Sequence, residues 1–73
     1  MTTFKFHSAA GKKVQTRKFS GLPEAELFAY GWNAACDKYG VDSGNEIATI
    51  VDGDTNQLTV FSASVRAAEA MKP

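Results

Sequence analysis

The sequence has little of what disulfide-bonded, metal-binding and catalytic proteins are built from. Its 73 residues include a single cysteine, Cys36, and a single histidine, His7. One cysteine cannot form an intramolecular disulfide, and cysteine-based metal sites need several thiolates, so we expect a reducing, intracellular setting. Because small domains often rely on such cross-links, the hydrophobic core of this chain has to supply most of its stability.

Long apolar runs are also missing. No stretch approaches the roughly 18 consecutive apolar residues of a transmembrane helix. The N-terminal residues 1–13 lack the apolar segment of a signal peptide. We therefore expect a soluble cytoplasmic protein that does not contact membranes.

No catalytic or cofactor motif is complete. Ser8, the neighbour of the lone His7, would point to the opposite face of a strand, so the two do not form a nucleophile and base by adjacency. Residues 52–56 begin like a calcium loop. However, Gln57 and Ala63 replace the glycine and the glutamate that such a loop needs at its sixth and twelfth positions. We expect no enzymatic activity, no cofactor and no metal.

The charges are sorted along the chain although they sum to zero. Residues 1–20 contain five lysines and arginines and no acid, whereas residues 21–60 contain seven acids and only Lys38 as a cation. This asymmetry predicts one basic and one acidic region on the surface. The zero net charge disfavours binding that depends on broad neutralisation of nucleic-acid phosphates.

The longest periodic segment predicts a helix over Pro23–Tyr39, which ends before Gly40. We expect its large aromatic rings to form much of the core. The residues predicted to face inward are Ala25, Phe28, Ala29, Trp32, Ala35, Cys36 and Tyr39. The other face carries Leu27 and Tyr30, which either wrap over the edge of the core or form a patch that anchors a partner.

Two strands are predicted before the helix. Thr3–His7 alternates with period two, which directs Phe4 and Phe6 inward. In the second strand, residues 13–19, the alternation slips, and a bulge or a strand end near residues 17–18 would direct both Val14 and Phe19 inward. The predicted outer face of this hairpin is a basic stripe, which is either a solvated face or a contact surface for phosphates or an acidic protein. Its members are Lys5, His7, Lys13, Gln15 and Arg17, with Lys12 at the turn.

After the helix, β-branched runs at residues 46–52 and 57–62 flank a polar turn and predict a second hairpin. Residues 64–73 are expected to form a short helix or a frayed tail. The predicted fold is a single α+β domain of residues 1–73. Its folded core, residues 3–63, is a four-stranded, mainly antiparallel sheet with one helix on one face, in the order ββαββ. The pattern does not determine the strand order.

The segments TFKFHSAAGKKVQTRKF, PEAELFAYGWNAACDKYG, EIATIVDG and QLTVFSAS give a chain whose size and element order resemble small accessory proteins of phages and mobile elements. Single-domain anti-CRISPR inhibitors are among these proteins. The resemblance covers residues 3–63 and implies a protein in the cytoplasm of a host cell. It would act by sterically blocking a surface of a host protein complex.

We therefore expect a non-enzymatic protein-binding domain that inhibits or modulates a nucleic-acid-handling complex. One alternative is a small nucleic-acid-binding module that uses the basic hairpin, and another is a homodimeric structural protein. The protein is expected to be a monomer or a homodimer. The candidate contact residues are Lys12, Lys13, Gln15 and Arg17 of the hairpin and Glu26, Leu27, Tyr30, Asn33 and Asp37 of the helix.

Overall fold

The structure, a computed structural model, describes residues 1–39 and 45–61. These residues form four strands and one helix. The elements are β1 (Thr2–His7), β2 (Lys13–Phe19), α1 (Leu22–Tyr39), β3 (Thr49–Asp52) and β4 (Gln57–Val60). The predicted C-terminal tail lies outside the described residues.

All four strands form one antiparallel sheet in the order β2-β1-β3-β4, and α1 packs against one of its faces. The predicted α+β class, a four-stranded sheet with one helix in the order ββαββ, is confirmed. The strands of the second hairpin are shorter than predicted, and β4 is an edge strand while β3 is central. Both β1 and β3 have a neighbour on each side. Because β1 lies between β2 and β3, the spatial order of the strands differs from their order in the sequence.

Aromatic rings fill the space between the sheet and the helix. Phe4 and Phe6 of β1 are buried, as their alternation predicted. The ring of Phe6 lies 6.1 Å from that of Phe19 and 5.1 Å from that of Phe28, measured between centroids. The Phe28 ring continues the row to Trp32 at 5.8 Å. These separations are typical of tilted and edge-to-face aromatic pairs, which stabilise a core beyond the area they bury.

Two successive helical side chains hold the segment that leads into β3. Asn33 makes two hydrogen bonds to Ile47: its Nδ2 donates to the carbonyl oxygen at 2.8 Å, and its Oδ1 accepts from the backbone N–H at 2.7 Å. Trp32 donates from Nε1 to the carbonyl oxygen of Asn45 at 2.6 Å. Asn33 and Ile47 are both buried, so their polar groups satisfy each other away from water.

These contacts correct the predicted orientation of the helix. Asn33, predicted on the outer face as a contact residue, is buried, whereas Tyr39, predicted in the core, is 72% exposed. Ala35 is exposed as well. The buried stripe runs through Ala25, Ala29, Asn33 and Cys36. The helix is therefore rotated towards Asn33, because a buried amide that pairs with backbone groups satisfies both partners.

The predicted bulge in β2 exists, but at a different position. The register between β1 and β2 shifts so that Phe6 is opposite Gln15 and His7 is opposite Lys13, which leaves Val14 without a partner in the ladder. The prediction of a bulge or a strand end at residues 17–18 was wrong, because Arg17 and Lys18 are paired regularly with Phe4 and Thr3 and the strand continues to Phe19. Val14 packs against the core from this position.

The turn between β3 and β4 is polar, as predicted. Asp52 Oδ1 accepts hydrogen bonds from the backbone N–H groups of Asp54 at 2.9 Å and Thr55 at 3.2 Å. Asn56 takes a left-handed backbone conformation with φ of 57°, which asparagine tolerates better than most residues. The carboxylate thus organises the turn itself.

The Asn33 contact predicts the effect of a truncation. Asn33→Ala removes both partners of the Ile47 backbone and leaves an N–H and a C=O group buried without hydrogen bonds. Because each such group costs about 1–3 kcal/mol, we expect the free energy of unfolding to fall by about 2–6 kcal/mol. Urea denaturation followed by far-UV circular dichroism measures this change.

The matched control is Leu27→Ala, which truncates a side chain on the exposed side of the same helix and should change the free energy by less than about 0.5 kcal/mol. A loss of less than about 1 kcal/mol in Asn33→Ala would contradict the structural role assigned to this amide.

Candidate protein-binding surface

The register of the strands determines which side chains share the face of the sheet opposite the helix. Phe4 and Phe6 face the helix, so their neighbours in β1 face away from it, and directly opposed residues on adjacent strands share a face. We call this surface the outer sheet face. It comprises Thr3, Lys5 and His7 of β1; Lys13, Thr16 and Lys18 of β2; Thr49 and Val51 of β3; and Leu58 and Val60 of β4.

The outer sheet face is divided into a basic half and an aliphatic half. The half on β1 and β2 carries three lysines and His7, and none of the ten residues of the face is an acid. On the other half, Leu58 is 62% exposed and Val60 is 61% exposed, beside the partly buried Val51. The described residues thus leave an exposed surface that combines apolar and cationic groups.

The basic stripe predicted from the sequence is only partly correct. Lys5, His7 and Lys13 lie on the outer sheet face, as predicted, and Lys12 is exposed in the adjoining turn. Gln15 and Arg17 lie on the helix face instead, opposite Phe6 and Phe4. Lys18, opposite Thr3, lies on the outer sheet face instead. The sequence prediction did not include it, because the bulge was expected at residues 17–18.

Arg17 contacts the helix. Its guanidinium carbon lies 5.3 Å from the centroid of the Phe28 ring, within the range of a cation–π contact. The side chain thereby covers an aromatic ring at the edge of the core. This cation therefore supports the packing of α1 on β2 and does not face a partner on the outer sheet face.

The predicted helix patch is smaller than expected. Leu27 is 70% exposed on the side of α1 away from the sheet, and Tyr30 is 54% exposed. Part of Tyr30 packs on the core, because its ring makes an edge-to-face contact with buried Phe61 at 4.8 Å. Of the other predicted contact residues, Glu26 is half-buried and Asp37 is exposed. Leu27 and the outer sheet face lie on opposite sides of the molecule.

A small apolar cleft lies near the C-terminal end of α1. Its volume is about 250 Å³, and its lining among the described residues is Trp32, Ala35, Cys36, Tyr39 and Asn45. Cys36 is buried there, in agreement with its prediction as a small core residue. No charged side chain belongs to this described lining, so the cleft offers few groups that would orient a polar ligand.

Neither a metal centre nor a membrane span is found in the described parts of the chain. Within residues 1–39 and 45–61, no group of three histidine, cysteine, aspartate or glutamate side chains is placed to hold a metal ion. The one helix described there is not long and apolar enough to cross a bilayer.

Comparisons with protein-family models, with curated proteins and with solved structures find no match to this chain. The resemblance to small phage accessory proteins therefore stays a prediction.

The two cations at the end of β2 predict different effects on stability. Arg17→Ala removes the contact with Phe28 and should lower the free energy of unfolding by about 0.5–1 kcal/mol. Lys18→Ala removes the same charge from the next residue, on the outer sheet face, and should change it by less than about 0.5 kcal/mol. Parallel thermal or urea unfolding of the two variants measures the difference. Equal losses would show that Arg17 does not stabilise the packing of the helix.

Proposed function

We propose that the chain is a non-enzymatic protein-binding domain that docks through its outer sheet face onto an acidic protein surface. The observation that carries the proposal is the exposure of Leu58 and Val60 beside a group of cations that contains no carboxylate. Such a surface supplies the two elements that protein interfaces combine. The aliphatic half provides an apolar contact that loses water on binding, and the basic half provides orientation and attraction.

The aliphatic half favours a protein partner over a nucleic acid. Leu58, Val60 and Val51 offer no stacking surface to bases, and the imidazole of His7 is the one ring among the ten residues of the outer sheet face, which include no phenylalanine, tyrosine or tryptophan. Proteins that bind single strands usually place aromatic rings among their cations. Here Phe4 and Phe6 lie under the helix. The apolar side chains gain more by burial against another apolar surface than by facing phosphates.

The mode of action follows from the small size of the domain and from its lack of a catalytic motif. Binding of a folded domain to an acidic surface would prevent another ligand from occupying that surface. Steric exclusion of this kind is the mode of action expected of an inhibitor of a host nucleic-acid-handling complex in the cytoplasm. The resemblance to phage accessory proteins implies the same mode of action. The charge of the outer sheet face supports this proposal, since attraction between opposite charges raises association rates.

A second candidate is a nucleic-acid-binding module. The observation that favours it is the basic half itself, where Lys5, Lys13 and Lys18 lie on two neighbouring strands with Lys12 at the adjoining turn. This module would use the lysines to contact phosphates and would leave the aliphatic half unused. Its affinity would therefore depend steeply on salt and little on Leu58.

Three variants distinguish these functions. The first reverses three charges, Lys5→Glu, Lys13→Glu and Lys18→Glu, and the second, Leu58→Ser, removes an exposed aliphatic group. The control is Lys38→Glu, which reverses an exposed cation on the helix, away from the outer sheet face. Each tagged protein is used for capture from host-type lysate treated with nuclease, and bound proteins are quantified by mass spectrometry.

We expect the wild type and Lys38→Glu to capture the same partner protein. The amount recovered should fall at least about tenfold with each of the two face variants, which corresponds to about 1.4 kcal/mol of binding free energy. Retention by both face variants would show that the outer sheet face is not the binding surface. Recovery of nucleic acid from untreated lysate, lost with the lysine reversals and unaffected by Leu58→Ser, would support the second candidate instead.

A further inference from the structure

The two edges of the sheet differ in how they are protected. The β2 edge carries Lys13, Arg17 and Lys18 and contains the bulge at Val14, two devices that discourage pairing with another strand. The β4 edge has neither device. Its four residues, Gln57–Val60, include no charge, no proline and no bulge. An unguarded edge beside exposed Leu58 and Val60 is a surface on which another strand can pair.

The pairing of β4 with β3 shows which backbone groups of β4 are available. In an antiparallel ladder the N–H and C=O groups of successive residues alternate between the two sides of the strand. Phe61 donates its N–H to the carbonyl oxygen of Ala48 at 2.7 Å, so the odd-numbered residues of this strand face β3. Leu58 and Val60 therefore direct their N–H and C=O groups away from the sheet. Within the described chain, no element lies beyond β4 to receive them.

We propose that β4 pairs antiparallel with β4 of a second copy of this chain. A two-fold axis that passes between the two copies of Thr59 puts Leu58 of each copy opposite Val60 of the other. In this register the outward groups of these two residues form four backbone hydrogen bonds, two for each Leu58–Val60 pair. The same pairs bring aliphatic side chains together on the outer sheet face, and the two Thr59 residues meet on the helix face.

The charges favour pairing of β4 with β4 of a second copy over the other pairings of two edge strands. Self-pairing of β4 brings only uncharged side chains into contact. Self-pairing of β2 would instead bring the lysines and arginine of two copies close together, which is unfavourable. Pairing of β4 with β2 of the next copy would leave a free edge at each end and extend into a fibre, whereas the two-fold arrangement closes on itself.

This dimer would join two four-stranded sheets into one continuous sheet and align their outer faces. Its centre would be aliphatic, with Val51, Leu58 and Val60 from both copies. Five strand spacings would separate the two β1 strands, a distance of about 24 Å at roughly 4.8 Å per spacing. Two basic halves would thus flank one apolar strip. The pairing is independent of the proposed function, because a monomer could also bind through the outer sheet face.

The first test measures the oligomeric state of the full chain. Only three residues of each β4, Leu58, Thr59 and Val60, lie opposite residues of the other β4, so we expect a dimer that dissociates on dilution. Sedimentation velocity between about 10 µM and 1 mM, a range that spans weak affinities, should show the mass rising from 7.8 kDa towards twice that value. Val60→Pro removes an outward N–H and no hydrogen bond to β3, so this variant should stay monomeric with its circular dichroism unchanged. A monomeric wild type at the highest concentration, or a series of larger oligomers, would overturn the proposal.

Charge and cross-linking give two further checks that do not depend on proline. Leu58→Lys guards the edge with a charge and should weaken dimerisation at least about tenfold. Thr16→Lys places the same residue on the outer sheet face of the other edge strand and should not weaken dimerisation.

Thr59→Cys should form an intermolecular disulfide under mild oxidation, because residues on the two-fold axis come within the Cα separation that a disulfide requires. Gln57→Cys, which lies two residues from the axis, should cross-link much more slowly. Equal rates for the two cysteine variants would contradict the register.

Discussion

The pairing of Asn33 with the backbone of Ile47 is the interaction on which the arrangement of helix and sheet depends. It connects the middle of α1 to the segment that enters β3, which is the strand next to the central β1. A hydrogen-bonded amide has strict requirements for distance and angle, whereas apolar packing tolerates rotation and sliding. The amide therefore determines which side of the helix faces the sheet, and the aromatic rings pack around that orientation.

The bulge at Val14 has a comparable effect on the surface. A strand has a side-chain period of two, so one extra residue changes the face of every residue on one side of it. Here it allows Val14 to reach the core while Arg17 covers Phe28 and Lys18 joins the outer sheet face. The positive charge of the N-terminal segment is thereby shared between the two faces. Arg17 stabilises the packing of the helix, while Lys5, Lys13 and Lys18 lie on the outer sheet face and Lys12 in the adjoining turn.

Much of the fold could be predicted because its signals are local. The alternation of Phe4 and Phe6, the periodicity of the helix and the polar turn at residues 52–56 each follow from residues close together in the sequence. The strand order could not be predicted, because strands that are adjacent in the sheet, such as β1 and β3, are far apart in the sequence, with β2 and the helix between them. The local pattern also favoured Tyr39 over Asn33 as a core residue, because hydrophobicity carries no information about a backbone partner 14 residues away.

The sequence predicted that the candidate surface would be basic, but not which residues would lie on it. The concentration of cations in residues 1–20 indicated a basic surface, and Lys5, His7 and Lys13 belong to it. Its aliphatic half comes from β4, which reaches the same face only through the register of three strand pairs. In the sequence, Leu58 and Val60 have the pattern of any β-strand. Only the position of β4 at an unprotected edge of the sheet indicates that they are contact residues.

The hydrogen bond between Trp32 and Asn45 makes one fold contact visible in solution. Trp32 is the only tryptophan of the chain, and its half-buried indole lies beside Phe28 while it donates to the segment that precedes β3. Its emission therefore reports whether that segment is held against the helix. A shift of the emission to longer wavelength before the loss of helical ellipticity would reveal local opening, in which the second hairpin separates from a helix that is still formed.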